Sequence, residues 1–187
     1  MKKNIIQIGA ILMILSIMVA LPSIPKLKAQ ITENTIGTIQ VKEFQKNSPQ
    51  LYLVTAIIDG DTIVVDDNGH EQQVRLLGID TPEIRTLHSK DMCFGQEATL
   101  FTTSALRYRL VSLESDSKNR NTDDYGRWLR YVDIPVSNGN FIRLNEMLTF
   151  GGYAKTMPEY ALSQIQKYLD LESSAREQQK GLWKRCR

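Results

Sequence analysis

Residues 51–79 read LYLVTAIIDGDTIVVDDNGHEQQVRLLGI, and this stretch predicts the centre of the fold. It contains three runs of β-branched and apolar residues, Leu51 to Ile58, Thr62 to Val65 and Gln72 to Ile79. The last two runs are joined by Asp-Asp-Asn-Gly at Asp66 to Gly69, which is typical of a tight hairpin turn. We therefore predict a meander of three strands.

The remainder of the chain adds two strands and three helices. The predicted helices are Gly95 to Arg109, Leu144 to Phe150 and Glu159 to Lys180, and the predicted strands are Leu110 to Glu114 and Trp128 to Ile134. Strands that precede and follow a single helix fit a small closed barrel better than a parallel sheet with alternating crossovers. We expect an α+β domain over residues 51–187, with a five-stranded β-barrel flanked by three α-helices.

The first 29 residues have the pattern of a secretory signal peptide. Two lysines precede an apolar run from Ile5 to Leu21, and a small-residue cleavage site ends at Ala29. Ala20 is a second candidate site, and an uncleaved anchor through residues 5–21 is the alternative interpretation. Either arrangement places the domain outside the cytoplasm. The polar residues 30–50 are expected to form a flexible lead-in.

Composition limits how this chain can bind its partners. The sequence is 42% hydrophobic and 24% charged, which suits one globular core and excludes a disordered or fibrous protein. Residues 1–29 hold four lysines and no acid, so their removal changes the formal charge from +2 to −2. A mature domain without a basic excess cannot bind nucleic acid mainly by neutralising many phosphates, so any phosphate chemistry must be local.

Four acids flank the second hairpin. Asp59 and Asp61 precede its first strand, and Asp80 and Glu83 follow its second. Each motif alone is an ordinary turn sequence, which is the simpler interpretation. Gathered at one end of a barrel, however, the four carboxylates would repel one another unless a cation lay among them. Hard oxygen ligands indicate calcium or magnesium, and irregular loops favour calcium.

Two arginines are candidates for the other half of a phosphodiester site. Arg75 precedes Asp80 by five residues on the same predicted strand, and Arg127 lies at the start of the last strand. The planar guanidinium group binds two phosphate oxygens at once and stays charged at every relevant pH. Taken singly, an arginine on a strand is usually only a solvated charge.

Three segments together resemble the signature motifs of the thermonuclease (staphylococcal nuclease) family, in the order and spacing of that family. They are AIIDGDT at 56–62, VRLLGIDTPE at 74–83 and TDDYGRWL at 122–129. The supporting segments are CFGQEA at 93–98, GGYAK at 151–155 and KGLW at 180–183. The resemblance extends from about Val54 to Trp183 and implies that the barrel is of the OB type.

The resemblance also implies a secreted endonuclease that acts on DNA and RNA, depends on Ca²⁺ and leaves 3′-phosphates. Asp61, Asp80 and the carbonyl group of Thr81 match the calcium ligands of the family, with Asp59 in the outer shell. No stable protein partner is implied, and we expect a monomer. A membrane is involved only if the N-terminal segment stays uncleaved.

The resemblance implies the catalytic residues as well. Arg75 and Arg127 match the phosphate-binding arginines of the family, and Glu83 matches the carboxylate that orients or deprotonates the attacking water. Tyr125 matches a tyrosine that contacts the nucleotide.

Two departures from the family pattern concern substrate binding. Asp124 occupies the position before the tyrosine where the family has a lysine. The stretch after Lys155 is shortened where the family has tyrosines near the bound base, and Tyr160 is the candidate for part of that role. Substrate affinity and base preference are therefore expected to differ from those of the family.

Two other functions compete with a nuclease. The first is a non-catalytic OB module that binds single strands, and the second is a secreted structural domain in which the acids hold a stabilising calcium. A pure binding module has no use for a cluster of carboxylates, and a structural calcium site leaves the two arginines unexplained. The nuclease interpretation accounts for both sets.

The two cysteines are Cys93 and Cys186, an even number in a chain that we expect to be exported. They can pair only if folding brings them close together, so the sequence leaves a disulfide open.

Overall fold

A computed structural model describes residues 49–84 and 92–186. The signal peptide or anchor, and the lead-in as far as residue 48, lie outside these residues. Within the two described ranges, no helix is both long enough and apolar enough to cross a bilayer.

The strands and helices follow one another along the chain in the predicted order. The strands are β1 (Leu51–Ile57), β2 (Thr62–Asp67), β3 (His70–Leu76), β4 (Ile79–Asp80), β5 (Leu110–Glu114), β6 (Trp128–Pro135), β7 (Phe141–Arg143) and β8 (Lys155–Thr156). The helices are α1 (Gly95–Leu106), α2 (Leu144–Phe150), α3 (Ile165–Glu177) and the single turn α4 (Leu182–Arg185), with a short 3₁₀ turn at Ser137–Gly139.

Five strands close into a barrel. Their order is β3-β2-β1-β5-β6, and parallel pairing of β3 with β6, with Val74 opposite Trp128, completes the circle. The other barrel pairings are antiparallel. The barrel and its helices confirm the predicted OB-type α+β fold. Strand β7 extends the sheet beyond β6, and β4 forms a small separate ladder with β8.

The barrel closes around a continuous apolar core. Each barrel strand contributes fully buried side chains, for example Val54, Ile63, Val74, Val111 and Leu129. A register shift between Val54 and Ala56 bends β1, as a strand in a small closed barrel must bend. Helix α3 packs on the outside of this core, where the ring of Tyr168 stacks on that of Tyr131 with 6.0 Å between centroids.

The third strand ends earlier than predicted. The sequence predicts one strand from Gln72 to Ile79, whereas β3 stops at Leu76 and β4 begins at Ile79. The break falls at Gly78, whose φ of +74° suits glycine. A Cβ atom at Gly78 would also lie 2.2 Å from Cδ1 of Leu162. The turn redirects the chain so that Asp80 is carried out of the barrel wall.

The last long helix begins later than predicted, at Ile165 instead of Glu159. The preceding segment is held by Asp116, whose carboxylate accepts hydrogen bonds from the backbone nitrogen and hydroxyl of Ser163, at 2.9 and 2.7 Å. The same oxygen accepts a bond from the hydroxyl of Tyr131 at 2.7 Å. Burial raises the pKa of Asp116, but the bonds from Ser163, Lys118 and Tyr131 outweigh it and lower that pKa to about 2.

A disulfide joins Cys93 to Cys186 with 5.7 Å between their Cα atoms. The bond links the residues just before α1 to the end of the C-terminal turn α4, across 93 residues of sequence. Such a cross-link lowers the entropy of the unfolded chain more than that of the folded one. The disulfide is therefore expected to stabilise the whole barrel domain.

We predict that replacing both cysteines, as Cys93→Ser with Cys186→Ser, lowers the free energy of unfolding by about 2–5 kcal/mol. Urea denaturation followed by tryptophan fluorescence measures this change. Dithiothreitol should destabilise the parent protein by a similar amount and leave the double variant unaffected. Equal stability of the parent with and without reductant would contradict the prediction.

Candidate active site

The two acidic motifs meet through Asp61. One carboxylate oxygen of Asp61, Oδ2, accepts hydrogen bonds from the backbone nitrogen of Thr81 at 2.7 Å and from its hydroxyl at 3.0 Å. These bonds tie the turn after β1 to the turn after β4, although the two residues are 20 positions apart. The predicted convergence of the two turns is therefore present in the structure.

Arg75 lies between the carboxylates of Asp61 and Asp80. Its Nη1 is 3.0 Å from Oδ1 of Asp61, and its Nη2 is 2.9 Å from Oδ1 of Asp80. Nη1 also donates to the carbonyl oxygen of Ile79 at 2.9 Å. Because the side chain is buried and each terminal nitrogen has an acceptor, the guanidinium group is fixed in one orientation.

Asp61 is a buried acid with incomplete charge compensation. Burial raises its pKa, with the positive charge of Arg75 opposing the shift and the negative charge of Asp59 adding to it. Asp59 lies close by, since its Oδ1 accepts a hydrogen bond from the backbone nitrogen of Asp61 at 3.0 Å. Arg75 supplies one positive charge for both Asp61 and Asp80, so the site favours an additional cation.

Glu83 lies within the electrostatic field of both arginines and both neighbouring acids. Partial desolvation raises its pKa, and the charges of Asp59 and Asp80 raise it further, whereas Arg75 and Arg127 lower it. Its side chain remains exposed to solvent. The charges of Asp59, Asp80, Arg75 and Arg127 therefore all act on one carboxylate that water can reach.

The backbone of Glu83 is held by the residues around the start of α1. Its carbonyl oxygen accepts a hydrogen bond from the backbone nitrogen of Met92 at 2.9 Å. A Cβ atom at Gly95 would lie 2.4 Å from the same oxygen, so only glycine allows the helix to approach this closely. Cys93, between these two contacts in the chain, carries the disulfide to Cys186.

Arg127 differs from Arg75 in its environment. Its Nε donates to Oδ2 of Asp123 at 2.6 Å, and its Cζ lies 5.5 Å from the ring centroid of Tyr125. The ring of Tyr125 is 85% exposed. Gln73, Tyr125 and Arg127 line an open cavity of about 300 Å³, so the predicted nucleotide contact lies beside the predicted phosphate contact.

Tyr160 is not among the residues that line this cavity. Its side chain is partly buried against the core. Its backbone nitrogen donates to the carbonyl oxygen of Met157 at 3.2 Å, and the sulfur of Met157 is 3.9 Å from Nη2 of Arg75. Substrate contact by Tyr160 stays a prediction.

Asp124, the departure from the family pattern, pairs with Arg120 at 2.6 Å.

A metal ion here would need ligands beyond acidic side chains. Among residues 49–84 and 92–186, no three histidine, cysteine, aspartate or glutamate side chains gather closely enough to hold an ion by themselves. The oxygen donors near Arg75 are the carboxylates of Asp61 and Asp80, and the backbone of Thr81 is tied to the same place through its nitrogen, which donates to Asp61. With water completing the set, these residues fit a hard cation that tolerates irregular coordination.

Sequence reasoning did not identify Asp123 and Met157 as parts of the site. Asp123 belongs to the motif TDDYGRWL, and its four-residue spacing from Arg127 could have indicated the ion pair. Met157 carries no comparable signal. It reaches Arg75 only because its backbone nitrogen donates to the carbonyl oxygen of Gly78, which places it next to β4.

Comparison with known proteins identifies the family of the chain. The profile of the family described as staphylococcal nuclease homologue matches residues 73–185. The thermonuclease of Staphylococcus intermedius is 33% identical over 148 residues, covering 76% of this chain and 83% of that protein. The thermonuclease of Staphylococcus hyicus is 34% identical over 137 residues, covering 72% and 76%. Endonuclease YncB of Bacillus subtilis is 32% identical over 158 residues, covering 81% and 69%.

The chain belongs to the staphylococcal nuclease family. It is accordingly a hydrolase of the nuclease class.

Proposed function

We propose that the chain is an exported, Ca²⁺-dependent endonuclease that hydrolyses phosphodiester bonds of DNA and RNA and leaves 3′-phosphates. The observation that carries the proposal is the arrangement of Arg75 and Arg127 with the two acids around Glu83. A binding module would gain nothing from a solvent-exposed carboxylate that lies within the electrostatic reach of two phosphate-binding groups.

The phosphate would be bound by the two arginines. During hydrolysis the oxygen of a water molecule bonds to phosphorus while the bond from phosphorus to the 5′-oxygen breaks, and charge accumulates on the oxygens of the five-coordinate transition state. Guanidinium groups held in place before the reaction stabilise that charge without reorganising. The products are a 3′-phosphate and a free 5′-hydroxyl group.

Glu83 is the proposed partner of the attacking water. Its side chain is exposed. A water molecule can therefore donate a hydrogen bond to the carboxylate, which would orient its oxygen in line with the leaving 5′-oxygen. The same carboxylate can accept the proton that the water loses.

Asp61, Asp80 and the carbonyl oxygen of Thr81 are the proposed ligands of Ca²⁺, with Asp59 in the outer shell. When bound, the ion would supply positive charge that polarises a phosphate oxygen. The support for this assignment is the set of hard oxygen donors and the buried, incompletely compensated charge of Asp61.

We expect purified protein to cleave plasmid DNA and RNA with Ca²⁺ and to lose this activity with a chelator. A gel with Ca²⁺, Mg²⁺ and chelator arms measures the ion dependence. Asp80→Ala should abolish the response to Ca²⁺ while Asp124→Ala retains it.

The fragments should resist 3′-extension by a polymerase until treated with a phosphatase. Full activity in chelator, or fragments that extend at once, would contradict the calcium or the product assignment.

We expect Arg127→Lys to lose far more turnover than binding, with kcat lowered by at least about tenfold and KM changed much less. Lysine keeps the charge but cannot donate two parallel hydrogen bonds to a phosphate. Single-turnover kinetics on a labelled oligonucleotide separate the two effects, with Arg120→Lys as the exposed control. Rates equal to those of the parent would remove Arg127 from the transition state.

Export is supported by the signal pattern in residues 1–29 and by the disulfide, since such bonds persist in oxidising compartments. We expect the protein in the culture medium of a secreting bacterial host, with Gln30 as its first residue by N-terminal sequencing. Recovery in the membrane fraction with residues 5–21 intact would support the anchor instead. Retention in the cytoplasm would contradict export.

A further inference from the structure

The guanidinium group of Arg127 is held from one side by Asp123. Oδ2 of Asp123 accepts the hydrogen bond from Nε of Arg127 at 2.6 Å. The other oxygen, Oδ1, accepts bonds from the backbone nitrogens of Tyr125 at 3.0 Å and Arg127 at 2.9 Å. The carboxylate is only 8% exposed, so these contacts are shielded from water. Although burial raises the pKa of Asp123, the bonds from Arg127 and Tyr125 lower it below its usual value.

The bond to Nε leaves the two terminal nitrogens of Arg127 unused. Within the described part of the chain, neither of them donates a hydrogen bond or forms an ion pair. Arg75 presents the opposite case, because its terminal nitrogens are engaged by Asp61 and Asp80. Arg127 is thus an arginine with one edge fixed and a free pair of donors beside the cavity that Gln73 and Tyr125 line.

We propose that Asp123 is a positioning residue that fixes the plane of the Arg127 guanidinium group and so directs its two terminal nitrogens at the scissile phosphate. This inference rests on the proposed phosphodiesterase function. Asp123 itself contacts neither the phosphate nor the water. Its contribution is orientation before the reaction, because an arginine that rotates freely must lose that freedom in the transition state.

A purely structural role in the loop is the competing explanation. Oδ1 closes the turn around Tyr125 and Gly126, whose backbone nitrogen also donates to the carbonyl oxygen of Asp123 at 3.2 Å. The two carboxylate oxygens therefore have different tasks, and a substitution that changes only one of them separates the explanations.

Asp123→Asn makes that separation. The amide oxygen of asparagine can still accept both backbone hydrogen bonds, so the turn is retained. The amide nitrogen is a donor and cannot accept the bond from Nε of Arg127. The variant therefore releases the guanidinium group and leaves the backbone around it unchanged.

Asp124→Asn is the matched control. Asp124 also pairs with an arginine four residues away, Arg120, at 2.6 Å. Both partners are largely exposed. Because Asp124 stands where the family has a lysine and affects substrate affinity in our interpretation, the control is judged on kcat and not on KM. The same chemical change is thus made one residue along the chain, at an ion pair of the same spacing.

We expect Asp123→Asn to lower kcat by on the order of 10- to 100-fold with KM changed less than about threefold. The control should keep kcat within about twofold of the parent. In an Arg127→Ala background, Asp123→Asn should cause no further loss, because its effect passes through that side chain. Both variants should melt within a few degrees of the parent.

An NMR spectrum of the arginine Nε–Hε groups gives a readout that does not depend on catalysis. In the parent and in Asp124→Asn, the Arg127 signal should be shifted downfield and exchange slowly with water. In Asp123→Asn it should move to the position of a free guanidinium group.

The inference is overturned if Asp123→Asn keeps the kcat of the parent, or if it causes the same loss with and without the Arg127 side chain. The second result would assign Asp123 to the loop alone. A parent protein that cleaves neither DNA nor RNA would overturn the proposed function and the positioning role with it, and the NMR signal would then report the ion pair as purely structural.

Discussion

The buried carboxylate of Asp61 is the contact on which the geometry of the site depends. It accepts two hydrogen bonds from Thr81 and pairs with Arg75, so a residue just before β2 is joined to the turn after β4 and to the barrel strand β3. A buried acid is stable only when such partners are present, since removal from water costs several kcal/mol. Loss of Asp61 would remove the acceptor of the Thr81 amide and one of the two ionic partners of Arg75, so the contact between the two turns would be lost.

The barrel and the site are therefore coupled. Strand β3 carries Arg75 in a wall that β6 closes, and the turn at Gly78 redirects the chain so that Asp80 reaches the other side of the same guanidinium group. The loop before β6 brings Arg127 to the same end of the barrel. The backbone of Glu83 is held by the residues around the start of α1, which the disulfide connects to the C-terminus. Arg75 thus lies on a barrel strand, whereas Asp61, Thr81 and Glu83 lie in segments that hydrogen bonds tie to their neighbours, and precise catalysis requires such support.

The two arginines are held by different sets of hydrogen bonds and ion pairs. Arg75 is buried and engaged by carboxylates on both terminal nitrogens. Arg127 is held through Nε, and its terminal nitrogens have no acceptor among residues 49–84 and 92–186. The site holds four acids, Asp59, Asp61, Asp80 and Glu83, against two arginines, so without a cation it carries negative charge and would repel a phosphate. A divalent cation corrects that balance, which links the proposed calcium requirement to substrate binding.

The five barrel strands and the first two helices were predictable from sequence because alternating apolar residues and Asp-Asn-Gly turns are local signals. The parallel pairing of β3 with β6 was not, since it joins segments about fifty residues apart and leaves no local trace. The late start of α3 was missed because a side chain distant in sequence, Asp116, holds the preceding segment in place of a helical turn. The three motifs could nominate the acids and arginines from sequence because the chemistry of each residue type is intrinsic to it.

The sequence alone determined the fold class, the family resemblance and the residue types that phosphate chemistry requires. Only the tertiary structure decided that Cys93 and Cys186 are bonded, that Arg75 joins Asp61 to Asp80, and that Asp123 fixes Arg127. The physical reason is the distance along the chain over which each signal acts. Propensity and periodicity act over a few residues, whereas a hydrogen bond or ion pair forms only where folding brings two atoms to within about 3 Å of each other.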